Sequence, residues 1–485
     1  MNLRILSGCL LVVVACPLSA QERLPVPDAT ALAAAQEAFL EILARAGAAS
    51  SHELLDLAHD PKSAPVVRWL LCQHGERVAR VALDLEAGLR AADESAAIFA
   101  IDGTTARADC LRRFAATTGM SVQALVGAWL GEAERALDGG TDPAASLASA
   151  LALAAADSPP GLAALAHREA AAIVSARDAR NASAAAPDDF ALRGRALAFH
   201  CCRRDQGLVD LERGGARLGR VAAAKIGRGA DDPLAPVRAA EHWLSLSRSE
   251  TDRAVQRNLQ RRALALLDAV ALACWPRTDA DTPPALAGPE GGRALALQAR
   301  VTDDLRAFAT PGVDAVRFSG AADLERLVVT NGEWKIEDGL LLGRSTGAAT
   351  RATLPFAFRT IDCVTIRAGI RSPDGLNLRV AVGDVNLLLN WEVADENHCY
   401  FGDACVRVGP RCLVAGTEHT IRLRQIGDRR VVLIDDKVMA VGEGKLGGPI
   451  TVYPALGSEI FVRSIDVVGD VAWPAVVEGP TGTTR

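Results

Sequence analysis

His419-Thr420-Ile421-Arg422-Leu423-Arg424-Gln425-Ile426, then Gly427-Asp428, then Arg429-Arg430-Val431-Val432-Leu433-Ile434 and Asp435-Asp436, is the stretch that decides the fold. Ile421 and Leu423 alternate with Arg422 and Arg424, the two-residue period of a strand whose faces meet different surroundings. Gly427-Asp428 and Asp435-Asp436 stand where hairpin turns belong. The segment reads as antiparallel strands joined by tight turns.

The same pattern extends outward over residues 313–470. Further strands are expected at Ala315–Phe318, Glu333–Ile336, Leu340–Leu342, Ile361–Ile370, Leu376–Val382, Val385–Trp391, His398–Phe401, Lys437–Val441, Ile450–Tyr453 and Glu459–Val467. Short strands at this spacing predict a two-sheet antiparallel sandwich of jelly-roll type. Before residue 310 the text changes to runs dense in Ala, Leu and Arg with apolar residues at helical spacing, as in Leu32, Ala35, Phe39, Ile42 and Leu43. Helices are expected from there to residue 308, broken at Asp60-Pro61, Gly139-Gly140 and Ser158-Pro159-Pro160. Helices joined by short turns suit an α-solenoid of TPR type, although no three full repeats align. The expected fold class is therefore multidomain α + β, an all-α solenoid followed by an all-β sandwich. The expected division is a leader at 1–20, helical parts at 25–180 and 190–309 around an Ala/Ser/Pro-rich linker at Asn181–Asp189, the sandwich at 313–470 and a tail at 471–485.

The leader has Arg4, an apolar run from Ile5 to Cys16 and small residues before Gln21, the grammar of an export signal. A lipid anchor at Cys16 or Cys9 is the alternative. The expected location is the periplasm, the cell surface or the medium. No later run is apolar enough to span a bilayer. Of 53 Lys and Arg only five are lysine, which suits a high-GC bacterial genome, and a net charge of -6 offers nucleic acid nothing. The charged helical positions alternate in sign and read as solvated faces. His52, His59, His74, His167, His200 and His242 are scattered and read as structural or surface residues.

Two resemblances add to this. Pro65-Val66-Val67-Arg68-Trp69-Leu70-Leu71 and Ala240-Glu241-His242-Trp243 make residues 30–309 similar to the helical regions of large secreted proteins of planctomycete-type bacteria, which precede a variable C-terminal module. Gly332-Glu333-Trp334-Lys335-Ile336-Glu337-Asp338-Gly339-Leu340-Leu341, with the later hairpin and Ile460-Phe461-Val462-Arg463-Ser464-Ile465, resembles the concanavalin A-like sandwich. The nearest pattern is that of the bacterial 3-keto-disaccharide hydrolase and laminin-G-like families. Of the Asn-Ser-Gly-[Ile/Val]-x-x-Arg signature of those hydrolases the Asn-Ser-Gly is lost and only Arg379 carries over. Asp435-Asp436 replaces the usual Asp-Gly, which should change the turn and not the fold.

The richest chemistry is in Asn390-Trp391-Glu392-Val393-Ala394-Asp395-Glu396-Asn397-His398, followed by Tyr400 and Asp403. A glycosidase needs two carboxylates flanking the sugar bond, and Glu392, Asp395 and Glu396 offer a pair, with Arg379 beside them. Trp391 and Tyr400 offer sugar-stacking platforms. The plainer readings are a core Trp391 with a polar loop, or a weak calcium site. No cofactor is expected otherwise. Cys363, Cys399, Cys405 and Cys412 are disulfide candidates in an oxidising compartment, since zinc-like C-x-x-C spacing is missing. Two scaffolds without a motif for chemistry imply an exported, non-catalytic binding protein. Its sandwich would meet carbohydrate or a surface component, and its helical groove would dock a protein partner. The alternative is a diverged glycoside hydrolase.

Overall fold

The computed structural model describes residues 23–47, 49–156, 161–200, 204–214, 232, 234–274, 289–345, 350–371, 377–391, 396–455 and 457–472. The leader with Cys9 and Cys16, and the tail beyond Ala472, lie outside them. The chain divides into two compact units, Met1–Met120 and Ser121–Arg485.

The first unit holds α1 (Ala29–Ala46), α2 (Ser51–Ala58), α3 (Pro65–Val81), α4 (Leu85–Ile98) and α5 (Gly103–Ala115). Their starts are chemically marked. Ser50 and Glu53 form a capping box on α2, Pro65 opens α3, and Asp84 and Asp102 cap α4 and α5. Leu54, Leu55, Leu71, Cys72 and Phe99 make the core, with Trp69 edge-on to Phe99 at 4.9 Å between ring centres. A Cβ on Gly88 would lie 2.3 Å from the Phe114 ring, so glycine lets α4 and α5 approach closely.

The second unit continues with α6 (Val122–Gly139), α7 (Ala144–Ala155), α8 (Leu162–Ala185), α9 (Phe190–Arg195) running into a π turn (Ala196–His200), α10 (Arg204–Arg213), α11 (Ala235–Ser249), α12 (Arg253–Cys274) and α13 (Pro289–Arg306). Residues 181–185, expected in a linker, are the last turn of α8, because their alanines favour helix.

Fifteen strands follow among the described residues: β1 (Ala315–Arg317), β2 (Val328–Thr330), β3 (Glu333–Glu337), β4 (Leu340–Arg344), β5 (Arg351–Thr353), β6 (Phe358–Ile370), β7 (Leu378–Val382), β8 (Val385–Trp391), β9 (Glu396–Phe401), β10 (Ala404–Pro410), β11 (His419–Ile426), β12 (Arg429–Ile434), β13 (Lys437–Glu443), β14 (Ile450–Pro454) and β15 (Glu459–Val471). They form two antiparallel sheets. The first has the order β13-β12-β11-β6-β15-β4-β3 with β1 on β15, and the second the order β10-β9-β8-β7-β14-β5-β2. The expected helical region and two-sheet sandwich are both present. β2, β5 and β10 were not expected. The first two are three residues long, and the third has a register shift between Arg407 and Gly409 and ends on Pro410.

The sheets differ in what covers them. β7 and β14 alternate buried and half-buried residues, which leaves one face of the second sheet in solvent. β6 and β15 are buried nearly throughout, so the centre of the first sheet is covered on both faces. Its outer face carries Val431, Leu433 and Val438, which pack on Ala271, Leu272 and Leu295 of α12 and α13. Buried charges cross the same boundary. Arg424 donates to Asp268 at 2.6 Å and to Thr302 at 2.9 Å. Arg261 donates to Asp362 at 2.5 Å and Asp470 at 2.6 Å, and Arg168 donates to Asp314 at 2.6 Å. The reading of charged helical positions as solvated faces is corrected here. Several of these arginines are the glue between helices and sheet, because their partners lie far away in sequence.

The Asp435-Asp436 turn is also a correction. Ile434 pairs with Lys437, so the loop has two residues, and both take positive φ, 49° and 65°. That is the backbone an Asp-Gly turn would adopt. The aspartates hold it with their side chains, Asp435 accepting from Thr420 N at 2.9 Å and Asp436 pairing with Arg422.

Candidate functional site

The open face of the second sheet is built by strand order. The register aligns Tyr453 of β14 with Arg379 of β7, Asn386 of β8 with Tyr400 of β9, and Tyr400 with Cys405 of β10. Since side chains alternate along each strand, these residues share one face, while Val380, Leu387 and Cys399 point into the sandwich core.

Tyr453 is the centre of the face. Its hydroxyl donates to Asn386 Oδ1 at 2.9 Å, which fixes the ring. The guanidinium of Arg351 lies 5.6 Å and that of Arg379 lies 5.9 Å from the ring centre. Both fall in the range of cation–π attraction. Thr353 and Thr451 share a hydroxyl hydrogen bond of 2.9 Å beside them. A shallow cleft of about 440 Å³ runs over this surface, lined by Arg351, Asn386, Tyr400, Thr451, Tyr453 and the carboxylates of Asp384 and Asp403. Asp384 is held at its back by Arg430, at 2.6 and 2.7 Å, and Arg430 itself lies buried over Phe401. The Tyr400 phenol is pushed above its ordinary range, first by its hydrogen bond with Cys405 and then by burial, so it is a neutral donor at physiological pH.

The neighbouring end of the face contains Glu396, His398, Cys405 and Arg407. Arg407 grips Glu396 through both carboxylate oxygens, with Nε at 2.6 Å. His398 lies between Glu396 and Cys405, with Trp391 edge-on to its ring at 4.7 Å. Trp391 follows a bulge in β8 where Asn390 takes a φ of 54°. The Asn390 side chain anchors the next loop, accepting from Cys412 N and Leu413 N at 3.0 Å each and donating to Leu413 O at 2.8 Å.

The structure thus brings Arg379, Glu396, Trp391 and Tyr400 to one face. Glu392 and Asp395 lie outside the described residues. Glu396 is engaged by Arg407 through both carboxylate oxygens. Sequence reasoning missed Tyr453, Asn386, Arg351 and Asp384. The one available signal was the alternation around Tyr453 in Ile450–Tyr453, which marks it as the outward neighbour of Thr451. All four disulfide candidates are free thiols. Cys363 faces the helices from the first sheet and Cys399 sits in the sandwich core, while Cys405 is exposed on the open face. Sheet alternation therefore turns Cys399 and Cys405 to opposite sides of the second sheet, which leaves that one of the open pairings without the geometry of a bridge. Among the described residues no group of three His, Cys, Asp or Glu is placed to hold a metal ion. No helix among them is long and apolar enough to cross a membrane.

No known family matches the chain, and no curated protein matches it. Solved structures similar to part of it include an apo Crh5 transglycosylase (14% identity, 33% of this chain and 85% of that one, TM-score 0.26). Others are the carbohydrate binding module CBM66 from Bacillus subtilis (13%, 31% and 97%, 0.22) and the galectin LEC-6 of Caenorhabditis elegans (10%, 26% and 95%, 0.19). Likenesses of this size leave the chemistry to be read from the chain's own residues.

Proposed function

We propose that this is an exported, non-catalytic carbohydrate-binding protein whose open sheet face meets the saccharide. One observation carries the reading. Tyr453 presents a ring on the solvent face of a sheet, clamped by Asn386 and flanked by Arg351 and Arg379. A sugar offers C–H faces to such a ring, and hydroxyls to the amide, guanidinium and carboxylate groups around it. The helices, closed over the other sheet, are the part proposed to dock a protein partner. The test is a glycan array with the mature full chain, followed by calorimetry on any hit with wild type and Tyr453→Ala. Failure to bind any saccharide, or unchanged affinity in the variant, would remove the reading. Mass spectrometry of secreted material beginning at Gln21 tests export.

A diverged glycoside hydrolase is the second reading, favoured by Arg379, Glu396 and Tyr400 sharing the face. Release of reducing sugar that disappears in both Glu396→Gln and Glu392→Gln would establish it in place of the first.

A further inference from the structure

Cys405, His398 and Glu396 form a chain of nucleophile, base and orienting carboxylate on the open face. Cys405 Sγ lies 3.3 Å from His398 Nδ1. His398 Nε2 lies 3.5 Å from Glu396 Oε2, in ion-pair range though outside hydrogen-bond geometry. Each member is itself held. Arg407 fixes Glu396, the Trp391 ring braces the imidazole, and His398 is only 8% exposed while Cys405 is exposed. Nothing in the saccharide reading uses this arrangement. It is the order of roles that activates cysteine nucleophiles.

We propose that Cys405 is a base-assisted thiol that takes up a small thiol by exchange with a low-molecular-weight disulfide. Cys405 passes its proton to His398 Nδ1, and Sγ attacks one sulfur of the disulfide. The new Sγ–S bond forms as the old S–S bond breaks, and the departing thiolate takes the proton from the imidazolium. One disulfide replaces another, so no other oxidant enters. The adduct lies beside Tyr400, its partner across the β9–β10 pair. Resting on the saccharide reading above, the adduct would close that end of the cleft to sugar.

The remaining cysteines provide internal references. Burial pushes Cys110 and Cys399 up to about 12, and Cys72 and Cys412 up to about 11. The groups that face His398 are Glu396 and Tyr400 on its own strand, Cys405 and Arg407 on β10, and the uncharged Trp391 and Leu388 on β8.

The experiment treats the mature full chain with glutathione disulfide, then maps adducts by peptide mass spectrometry over time and pH. Cys405 is expected to carry the first adduct. Its rate should fall at least about a hundredfold in His398→Gln, the low side of what a positioned base contributes. Glu396→Gln, which keeps the side-chain shape, should slow it less and move the pH profile. If His398→Gln fails to fold by circular dichroism, the Glu396→Gln rate and the Cys405-to-Cys412 labelling ratio in wild type decide. Equal rates in wild type and variants, or first labelling elsewhere, overturn the proposal. Labelling is read without sugar, so its failure is separate from failure of the saccharide reading. Loss of sugar binding on adduct formation tests the link between them.

Discussion

Arg424 on β11 and Asp268 on α12 meet at 2.6 Å with each side chain only 2% exposed, 156 positions apart in the chain. Gln298 and Thr302 of α13 complete the shell, donating to Asp268 and accepting from Arg424. Breaking one side leaves a buried charge without its partner. Asp268→Ala or Arg424→Ala should each cost about 3–5 kcal/mol, whereas Asp268→Leu with Arg424→Met should cost much less. Urea unfolding of the three variants decides. Equal losses in single and double variants would mean that packing volume, not charge, dominates here.

Acid should loosen the same boundary through Asp470. Burial pushes its carboxyl up, but Arg261, Arg257 and Thr360 pull it further down, to about 2. A carboxylate lowered from an unfolded value near about 3.9 contributes stability that is complete above that value and is lost as pH falls through its folded value. Stability should therefore fall between about pH 4 and about pH 2, and Asp470→Asn should flatten that limb. Denaturation midpoints across pH 2–7 check the point. An unchanged acid limb in the variant would assign it to other carboxylates.

On the open face, Tyr453→Ala should weaken saccharide binding at least about tenfold, as expected for a central aromatic contact. Tyr453→Phe should lose less, because the ring and both guanidinium neighbours remain while the bond to Asn386 goes. Calorimetry on the two variants separates ring from hydroxyl. Equal losses would place the contribution in the hydroxyl.

Asn390 holds a bulge and a loop together. Asn390→Ala strands the Cys412 and Leu413 amides and the Leu413 carbonyl, and puts alanine at positive φ. A loss of about 2–4 kcal/mol is expected, and Asn390→Gly should recover only the backbone share of about 1 kcal/mol. Chemical denaturation of both variants reads the difference.

Much of this architecture was legible in the sequence, for physical reasons that also explain what was not. Ile421 and Leu423 against Arg422 and Arg424 announced a strand, because burial on one face imposes a period of two. They could not announce that the arginine face is buried as well, since Asp268 and Thr302 are brought there only by tertiary packing. Tyr400 and Trp391 stood out in the sequence because their segment is rich in polar chemistry. Tyr453 was missed because Ile450-Thr451-Val452-Tyr453 reads as an ordinary strand. Its partners Asn386, Arg379 and Arg351 come from β8, β7 and β5, joined by sheet order rather than proximity in the chain.

The helical cover on the first sheet carries a consequence for how this protein can be taken apart or recombined. The secondary structure changes character near residue 310, yet the packing divides at Met120. A fragment cut at residue 310 would place Val431, Leu433 and Val438 in water and leave Arg424 without its counter-ion. A piece that keeps these contacts whole has to carry the helices that make them, as the stretch from Ser121 onward does, with those helices serving the sandwich as a permanent back wall.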